Sequence, residues 1–318
     1  MRISVILCTH NPRPEFLRRS LESIHSQSLN RDEWELIVVD NLSDKPLDGH
    51  LDLSGFRHAR IVREAKLGLT SARLRGIAEA RGELLVFVDD DNVLAPDYLD
   101  CAANIERSYS FLGAWGGTCL GEFPCETQVH LRPYLSYLAL RTVTRIAWCN
   151  EYRFDIIPFG AGLCVRKRVA DAYARSCITV PIRAELDRKG LSLVSGGDSD
   201  IVFTAVDLGL GMGLFCDLKL THIIPAERLK REYLERLLEG IAFSSQIVLY
   251  LHGITAGRQR SDRVGLLVAA YRRLRMNPDT RVLEDALIRG RQRGIAWVES
   301  KHVSDDLAAA HGPQGKSG

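Results

Sequence analysis

Three consecutive carboxylates, Asp89, Asp90 and Asp91, follow directly after the apolar residues 86–88. An apolar run of this kind predicts a buried strand that delivers the acidic residues to the edge of a sheet. Three like charges at one edge repel each other unless a cation binds between them, and Mg²⁺ and Mn²⁺ prefer such oxygen ligands. The alternative is a solvated acidic turn that caps a following helix, because Asp and Asn also favour turns and caps. These residues alone leave both interpretations open.

Two groups further along the chain can join the same chemistry. Asp198 lies in a Gly-Gly-Asp-Ser-Asp segment that opens a predicted helix, where a carboxylate can act as a general base for an incoming hydroxyl. A simple helix N-cap at Ser199 or Asp200 is the plainer interpretation of that segment. His222 ends another predicted strand and can bind a metal or a phosphate, although a single histidine can also be structural.

The elements that must position these groups alternate between strands and helices. Short runs rich in Val, Ile and Leu predict strands at Ile3–Leu7, Leu36–Asp40, Arg60–Arg63 and Leu84–Asp89. Apolar residues at helical spacing predict helices at Glu15–Gln27 and Leu69–Ala80. This alternation predicts an α/β fold, with a mostly parallel central sheet and helices on both faces. Ligands of such sheets bind at the carboxyl ends of the strands, where residues 9–11, 40–44 and 89–92 are all polar.

The second half of the chain is expected to add three more elements and a helical extension. A strand is predicted at Ile156–Val165, a helix at Ile201–Leu208 and a strand at Gly213–Leu218, followed by helices that include Val264–Leu274 and Val282–Trp297. An apolar stripe at a spacing of four residues begins the extension, at Leu229, Tyr233, Leu237 and Ile241. The expected domains are therefore a catalytic domain over residues 1–225, a helical region over 226–300 and a disordered tail over 301–318.

Composition restricts the class of protein. The 318 residues carry a net charge of +2, which by itself argues neither for nor against nucleic acid, and no nucleic-acid partner is expected. The 8 cysteines form no Cys-x-x-Cys pair, which argues against a zinc site or a disulfide framework. Without a signal peptide or 18 consecutive apolar residues, the expected location is the cytoplasm. Residues 228–293 hold 14 Lys and Arg against 7 Asp and Glu. That helical region is expected to pack on the catalytic domain, with peripheral contact to the inner membrane face or homodimerisation as alternatives.

This ordered set of motifs resembles glycosyltransferase family 2, the inverting nucleotide-sugar enzymes of the GT-A fold. The resemblance covers roughly Ile3 to Pro225. It rests on five segments in family order, which are Ser4–Asn11, Val38–Asp44, Gly68–Ile77, Val88–Asp91 and Gly196–Asp200. The third resembles the helix before the family's metal motif, the fourth its Asp-x-Asp and the fifth its Gly-Glu-Asp-x-Asp. The resemblance implies a GT-A fold with a C-terminal helical extension.

By this resemblance, one group of residues binds the nucleotide-sugar donor, for which a UDP-sugar is favoured. These residues are Thr9, Asn11, Asp40, Arg73, Asp89 and Asp90. Asp40 would read the nucleobase, and Asp91 with His222 would hold Mn²⁺ or Mg²⁺ against the phosphates. The plainer interpretation of Arg73 is a surface helix arginine.

The resemblance also implies how the reaction proceeds. Asp198 would deprotonate the hydroxyl of a glycan, lipid-linked or small-molecule acceptor, in cell-surface polysaccharide or glycoconjugate synthesis. Gly160, Gly162 and Asp200 would lie on the acceptor side. No Gln-x-x-Arg-Trp motif of processive members is present, so transfer of a single sugar is expected.

The sequence departs from the family pattern at three positions. Lys66 and Leu74 stand where the family often has Asn, and Gly197 replaces the usual Glu before the base. The last change leaves Asp198 and Asp200 both open as the base; Asp198 is preferred, because Asp200 is better placed to cap the helix. Two other functions stay open, a nucleotidyltransferase and a catalytically degenerate nucleotide-sugar-binding protein. The first lacks its usual glycine-rich basic loop between residues 9 and 15.

Overall fold

The computed structural model describes residues 1–190, 192–254, 273 and 275–310, with only the backbone from residue 302 onward. Its strands are β1 (Ile3–Thr9), β2 (Trp34–Asn41), β3 (Ala59–Glu64), β4 (Leu84–Asp89), β5 (Asn92–Leu94), β6 (Leu112–Glu122), β7 (Ala147–Cys149), β8 (Cys164–Arg166) and β9 (Gly211–Ile223). Its α-helices are α1 (Pro14–His25), α2 (Leu69–Glu79), α3 (Tyr98–Ser108), α4 (Lys167–Thr179), α5 (Gly197–Asp207), α6 (Arg231–Leu251) and α7 (Pro278–Ala310). Short 3₁₀ helices occur at Val129–Leu138, Pro181–Glu185 and Ala226–Leu229.

The strands of the described chain form one sheet in the order β3-β2-β1-β4-β8-β6-β9-β5, and β7 pairs with β9. The first four strands in this order are parallel, as predicted. β8 runs antiparallel to both β4 and β6, and β5 and β7 run antiparallel to β9. A mixed sheet of this kind still gathers the carboxyl ends of β1, β2 and β4 at one edge.

Alternation along the strands explains why helices cover both faces. In β1, Ile3, Val5 and Leu7 belong to a core cluster that also contains side chains of α1 and α3. Ile6 points to the opposite face, where a Cβ on Gly76 of α2 would lie only 3.4 Å from the Ile6 Cβ. Every residue of β1 is buried. The strand is therefore mostly apolar rather than alternating in polarity, with Ser4 and Thr9 as its two polar residues.

The chain divides into two compact units, residues Met1–Lys230 and Arg231–Gly318. In the second unit, α6 packs along α7, and Gly290 allows close approach because its Cβ would meet the Glu239 carbonyl carbon at 3.0 Å. The Arg289 side chain on α7 donates hydrogen bonds to Glu235 and Glu239 on α6. Among the described helices, none combines the length and the apolar character that crossing a bilayer requires.

Several local predictions were wrong. The segment predicted as a strand from residue 156 to 165 forms only the short β8. The backbone of residues 301–310 belongs to α7, and the disorder of the tail over residues 301–318 stays a prediction. In α6 the buried side chains include Leu234, Leu237 and Leu238, whereas Tyr233 and Ile241 are only half-buried. The predicted helix over residues 264–274 lies almost entirely outside the described residues. The end of the predicted tail, residues 311–318, lies outside them as well.

Candidate functional site

A cavity of about 250 Å³ opens beside the carboxyl ends of β1 and β4. Most of the residues predicted for the site line this cavity. They are Thr9, Arg73, Asp89, Asp90, Asp91, Gly160, Asp198 and His222. Asn11, Asp40, Gly162 and Asp200 are not among its lining residues. Which of these residues act in a reaction stays a prediction, but the fold brings together segments that lie far apart in sequence.

The acidic turn meets His222 because of one strand pairing. β4 is buried up to Asp89, the chain turns, and β5 then pairs antiparallel with β9, with Asn92 opposite His222. The Ile223 backbone N–H donates to the Asp91 carbonyl at 2.9 Å. The fully buried Asn92 side chain holds the turn, accepting from the Asp89 N–H at 3.2 Å and donating to Asp91 Oδ1 at 3.0 Å. The acidic residues therefore form a fixed loop, not a solvated helix cap.

Asp91 lies between an imidazole and a guanidinium group. His222 Nε2 lies 3.3 Å from Asp91 Oδ1, and Arg228 Nη1 donates to Asp91 Oδ2 at 2.9 Å. Burial by itself would raise the pKa of Asp91, but His222 and Arg228 hold it well below its ordinary value. Asp91 is consequently ionised at any physiological pH.

The other two carboxylates respond in the opposite way. Burial, followed by repulsion from Asp91, raises the pKa of Asp90 to about 7, although the Thr9 hydroxyl donates to Asp90 and opposes this rise. Burial also raises the pKa of Asp89 in spite of the nearby Arg73. Burial is the larger cause of both raised pKa values, and repulsion from the ionised Asp91 adds to it.

The donor atoms at this cluster fit a hard divalent cation. Asp91 offers a carboxylate and His222 an imidazole, whose buried Nδ1 has no hydrogen-bond partner within the part of the chain that the structure describes. The Arg228 guanidinium already places a positive charge on Asp91 Oδ2. Among the described residues no group of three His, Cys, Asp or Glu side chains forms a complete metal cage. Proteins usually hold Mg²⁺ and Mn²⁺ with one or two carboxylates, and substrate phosphates supply further ligands. Asp91 and His222 would form the protein part of such a site.

Asp198 and Asp200 occupy very different surroundings. Asp198 lines the cavity, where its Oδ2 accepts from the Gly160 N–H at 2.9 Å and its Oδ1 from the Ser199 N–H at 2.8 Å. Asp200 is completely buried and forms an ion pair with Arg183. Of these two carboxylates, which the sequence left open as the base, Asp198 is the one that lines the cavity.

Arg73 is not the surface arginine of the plainer interpretation. Its side chain is 4% exposed, and its Nη1 donates to Asp187 Oδ2 at 2.9 Å. Thr70 Oγ1 donates to the same oxygen at 3.2 Å. Burial raises the pKa of Asp187 to about 6 although Arg73 opposes the rise, so this carboxylate is ionised at neutral pH.

The four predicted residues that are not among the cavity-lining residues have other surroundings. Asp40 is buried and accepts from the backbone N–H groups of Ser43 and Leu47 at 2.9 and 3.2 Å, and from Arg63 at 3.2 Å. Asn11 has a left-handed backbone (φ 50°) and lines a separate groove of about 980 Å³ between α1 and the loop after β2. The Gly162 carbonyl accepts from the Tyr98 hydroxyl at 2.6 Å. Asp200, the fourth, has the Arg183 contact described above.

The cavity is also lined by polar and charged residues that were not predicted for the site, among them Asn41, Asp187, Arg188 and Arg228. Asn41 follows directly after Asp40 and holds the loop before α2, accepting from the Gly68 N–H at 2.8 Å and donating to the Lys66 carbonyl at 2.7 Å. Its position in a strand-end motif could have identified it. Asp187, Arg188 and Arg228 lie outside every motif, and no sequence signal indicated them.

Comparison with known proteins supports the same family. Residues 4–133 match the family model described as glycosyl transferase family 2. The chain is 29% identical over 103 residues to the putative glycosyltransferase EpsH of Bacillus subtilis, covering 31% of this chain and 28% of that protein. It is 34% identical over 93 residues to polypeptide N-acetylgalactosaminyltransferase 5 of Caenorhabditis elegans, covering 28% of this chain and 15% of that protein. The chain therefore spans well under half the length of these relatives.

Solved structures confirm the predicted GT-A fold. The mannosyltransferase PcManGT from Pyrobaculum calidifontis, solved with GDP-Man and Mn²⁺, has a TM-score of 0.53 at 16% identity, covering 92% of this chain and 87% of that one. Residues 1–349 of S. aureus TarS give a TM-score of 0.52 at 15% identity, covering 96% and 92%. The family resemblance predicted from the sequence is confirmed over residues 4–133, and that match ends before the segments around Asp198 and His222.

Proposed function

On the premise that residues 4–133 belong to glycosyl transferase family 2, we propose that this chain is a metal-dependent inverting glycosyltransferase. It moves one sugar from a nucleoside-diphosphate sugar, with UDP-sugars favoured, to a hydroxyl of a glycan, lipid-linked or small-molecule acceptor. One observation carries the proposal. A hydrogen-bonded carboxylate, Asp198, and the acidic turn at Asp89–Asp91 line the same cavity, as a base and a diphosphate site must in such a reaction.

The donor half of the site is built to hold a diphosphate. Asp91 and His222 would hold Mn²⁺ or Mg²⁺, which when bound neutralises the diphosphate and makes it a better leaving group. Arg228 lies 2.9 Å from Asp91 and adds a second positive charge. Arg188 also lines the cavity and lowers the pKa of Asp91. The resulting positive field favours the departing nucleoside diphosphate over the intact donor.

The acceptor half requires one proton transfer. Asp198 takes the proton of the acceptor hydroxyl while that oxygen attacks the anomeric carbon. The bond from the anomeric carbon to the phosphate oxygen breaks, and its electron pair leaves with the nucleoside diphosphate. Hydrogen bonds from the backbone N–H groups of Gly160 and Ser199 fix both carboxylate oxygens of Asp198. The attack occurs opposite the leaving group, so the configuration at the anomeric carbon inverts.

Release of nucleoside diphosphate from a panel of nucleotide sugars with Mn²⁺, with and without acceptors, tests the proposal. Asp198→Asn is expected to lower kcat by about 10²–10⁴-fold, the usual contribution of a general base. Asp91→Ala is expected to weaken the dependence on Mn²⁺. Asp217→Asn, at an exposed position in β9, is the matched control and keeps its activity.

Three results would contradict the proposal in different ways. Release of inorganic pyrophosphate would indicate a nucleotidyltransferase. Tight binding of a nucleotide sugar with no turnover on any acceptor would indicate a binding protein. An unchanged Mn²⁺ dependence in Asp91→Ala would remove the metal role from Asp91.

A further inference from the structure

Asp187 lies against the first residue of α5. The Gly196 N–H donates to the Leu186 carbonyl at 2.7 Å, and this bond closes the loop that carries Asp187. A Cβ added to Gly197 would lie 2.7 Å from the Asp187 Cγ and 3.2 Å from the Thr70 hydroxyl. Real Cβ contacts essentially never come as close as 2.7 Å. The Asp187 carboxylate therefore occupies the space into which a side chain at position 197 would project.

This carboxylate holds the arginine beside the proposed base. Arg73 is buried, and Asp187 Oδ2 accepts from it at 2.9 Å. Burial would lower the pKa of Arg73, but Asp187, Asp89 and Asp198 together raise it. A Cβ on Gly160 would lie 2.5 Å from Arg73 Nη2 and 3.3 Å from Asp198 Oδ2, so Gly160 leaves the space between these two groups open. Arg73 thus lies between Asp187 on one side and the cavity carboxylates on the other.

We propose that Asp187 supplies the carboxylate that the Gly-Glu-Asp pattern carries at position 197, so that this acidic group has moved to the preceding loop. Asp187 is then a positioning residue, which holds Arg73 beside Asp198 and Asp89. A carboxylate on residue 197 would start from the space that Asp187 fills and would meet the same Thr70 hydroxyl. The absence of a side chain at Gly197 therefore goes together with the presence of Asp187, because the space beside Thr70 holds only one carboxylate. This inference rests on the proposed transferase function for the role of Asp187 in catalysis.

Exchange of the carboxylate between the two positions tests the inference first by stability. Asp187→Gly leaves the buried Arg73 without its ion-pair partner, and Gly197→Glu forces a second carboxylate into an occupied space. Each is expected to lower the Tm of the full chain by roughly 10 °C. Asp187→Gly/Gly197→Glu is expected to recover at least half of either loss. Asp187→Gly/Gly197→Gln, which has the same shape without the charge, recovers less. Losses that add in the double variant would overturn the inference.

Kinetics then distinguish a positioning role from a purely structural one. With a donor that the wild type turns over, Asp187→Gly is expected to lower kcat at least tenfold while the donor KM changes less than about threefold. The double variant with Gly197→Glu recovers kcat, and the double variant with Gly197→Gln does not. Equal kcat in all variants, measured below their Tm, would overturn the positioning role. If the wild type turns over no donor, the proposed function fails, whereas the Tm coupling still decides whether the two positions share one carboxylate.

Discussion

The charge on Asp90 should make the protein less stable as the pH rises. Burial and repulsion by Asp91 raise the Asp90 pKa from 3.8 to about 7, and Thr9 opposes part of this rise. Because the folded state then binds this proton more tightly than the unfolded state does, the contribution to stability is complete below pH 3.8. It is lost as the pH rises through about 7. The difference corresponds to about 4 kcal/mol in total, of which about 3 kcal/mol falls between about pH 5 and pH 8.

The substitution Asp90→Asn isolates this effect, because Asn keeps the shape of the side chain and cannot ionise. Urea unfolding in metal-free buffer, followed by fluorescence of the buried Trp34 and Trp115, gives the free energy of unfolding at both pH values. Between about pH 5 and pH 8 the wild type is expected to lose about 3 kcal/mol more than Asp90→Asn. Groups that do not interact with Asp90, such as Asp187, titrate in both proteins and cancel in the difference.

The control for this measurement is Asp217→Asn, the same chemical change at an exposed site. It should keep the pH dependence of the wild type. Equal pH dependence of Asp90→Asn and the wild type would refute the reasoning, since it would mean that the acidic turn is solvated and its charges do not repel across a buried site.

Three further predictions concern single side chains. Arg228→Ala removes the cation on Asp91 Oδ2 and should tighten Mn²⁺ binding without donor about fivefold by calorimetry, whereas Arg228→Lys stays near the wild type. Gly160→Ala places a Cβ 2.5 Å from Arg73 Nη2 and should lower kcat more than tenfold in the nucleoside-diphosphate release assay, together with a lower Tm because the buried Arg73 must shift. Glu35 is buried; burial would raise its pKa, but its hydrogen bonds lower it. Glu35→Gln should therefore cost about 2 kcal/mol in urea unfolding at about pH 7 and less as the pH falls below about 4.

Much of the first four strands could be predicted from the sequence. β1, β2 and β4 are apolar runs that end in polar residues, and parallel strands align their carboxyl ends at one edge because the connecting helices return each strand in the same direction. The position of Thr9 beside the acidic turn follows from this rule, since β1 and β4 are neighbours. Asp40 at the end of β2 is not among the residues that line the cavity, because the loop after β2 folds back and supplies donors to that carboxylate. Its role in donor binding stays a prediction.

The residues around the acidic turn were harder to predict, because they arrive through antiparallel pairing late in the chain. His222 reaches Asp91 only through the pairing of β5 with β9, and Arg228 follows on the 3₁₀ helix after that strand. The three-residue β5 is too short to be recognised by its periodicity. Asp200 was open as a base in the sequence, and the helix orientation buries it against Arg183 while Asp198 faces the cavity.

The sequence by itself determined the type of sheet, the edge at which polar residues gather and the acidic turn of Asp89–Asp91, since these depend on local apolar patterns. Only the tertiary structure decided which distant groups meet that turn, that Arg73 is buried, and that Asp187 fills the space beside Gly197. The physical reason is that local patterns fix whether a strand or helix forms, whereas burial, charge pairing and pKa depend on contacts between residues more than 100 positions apart.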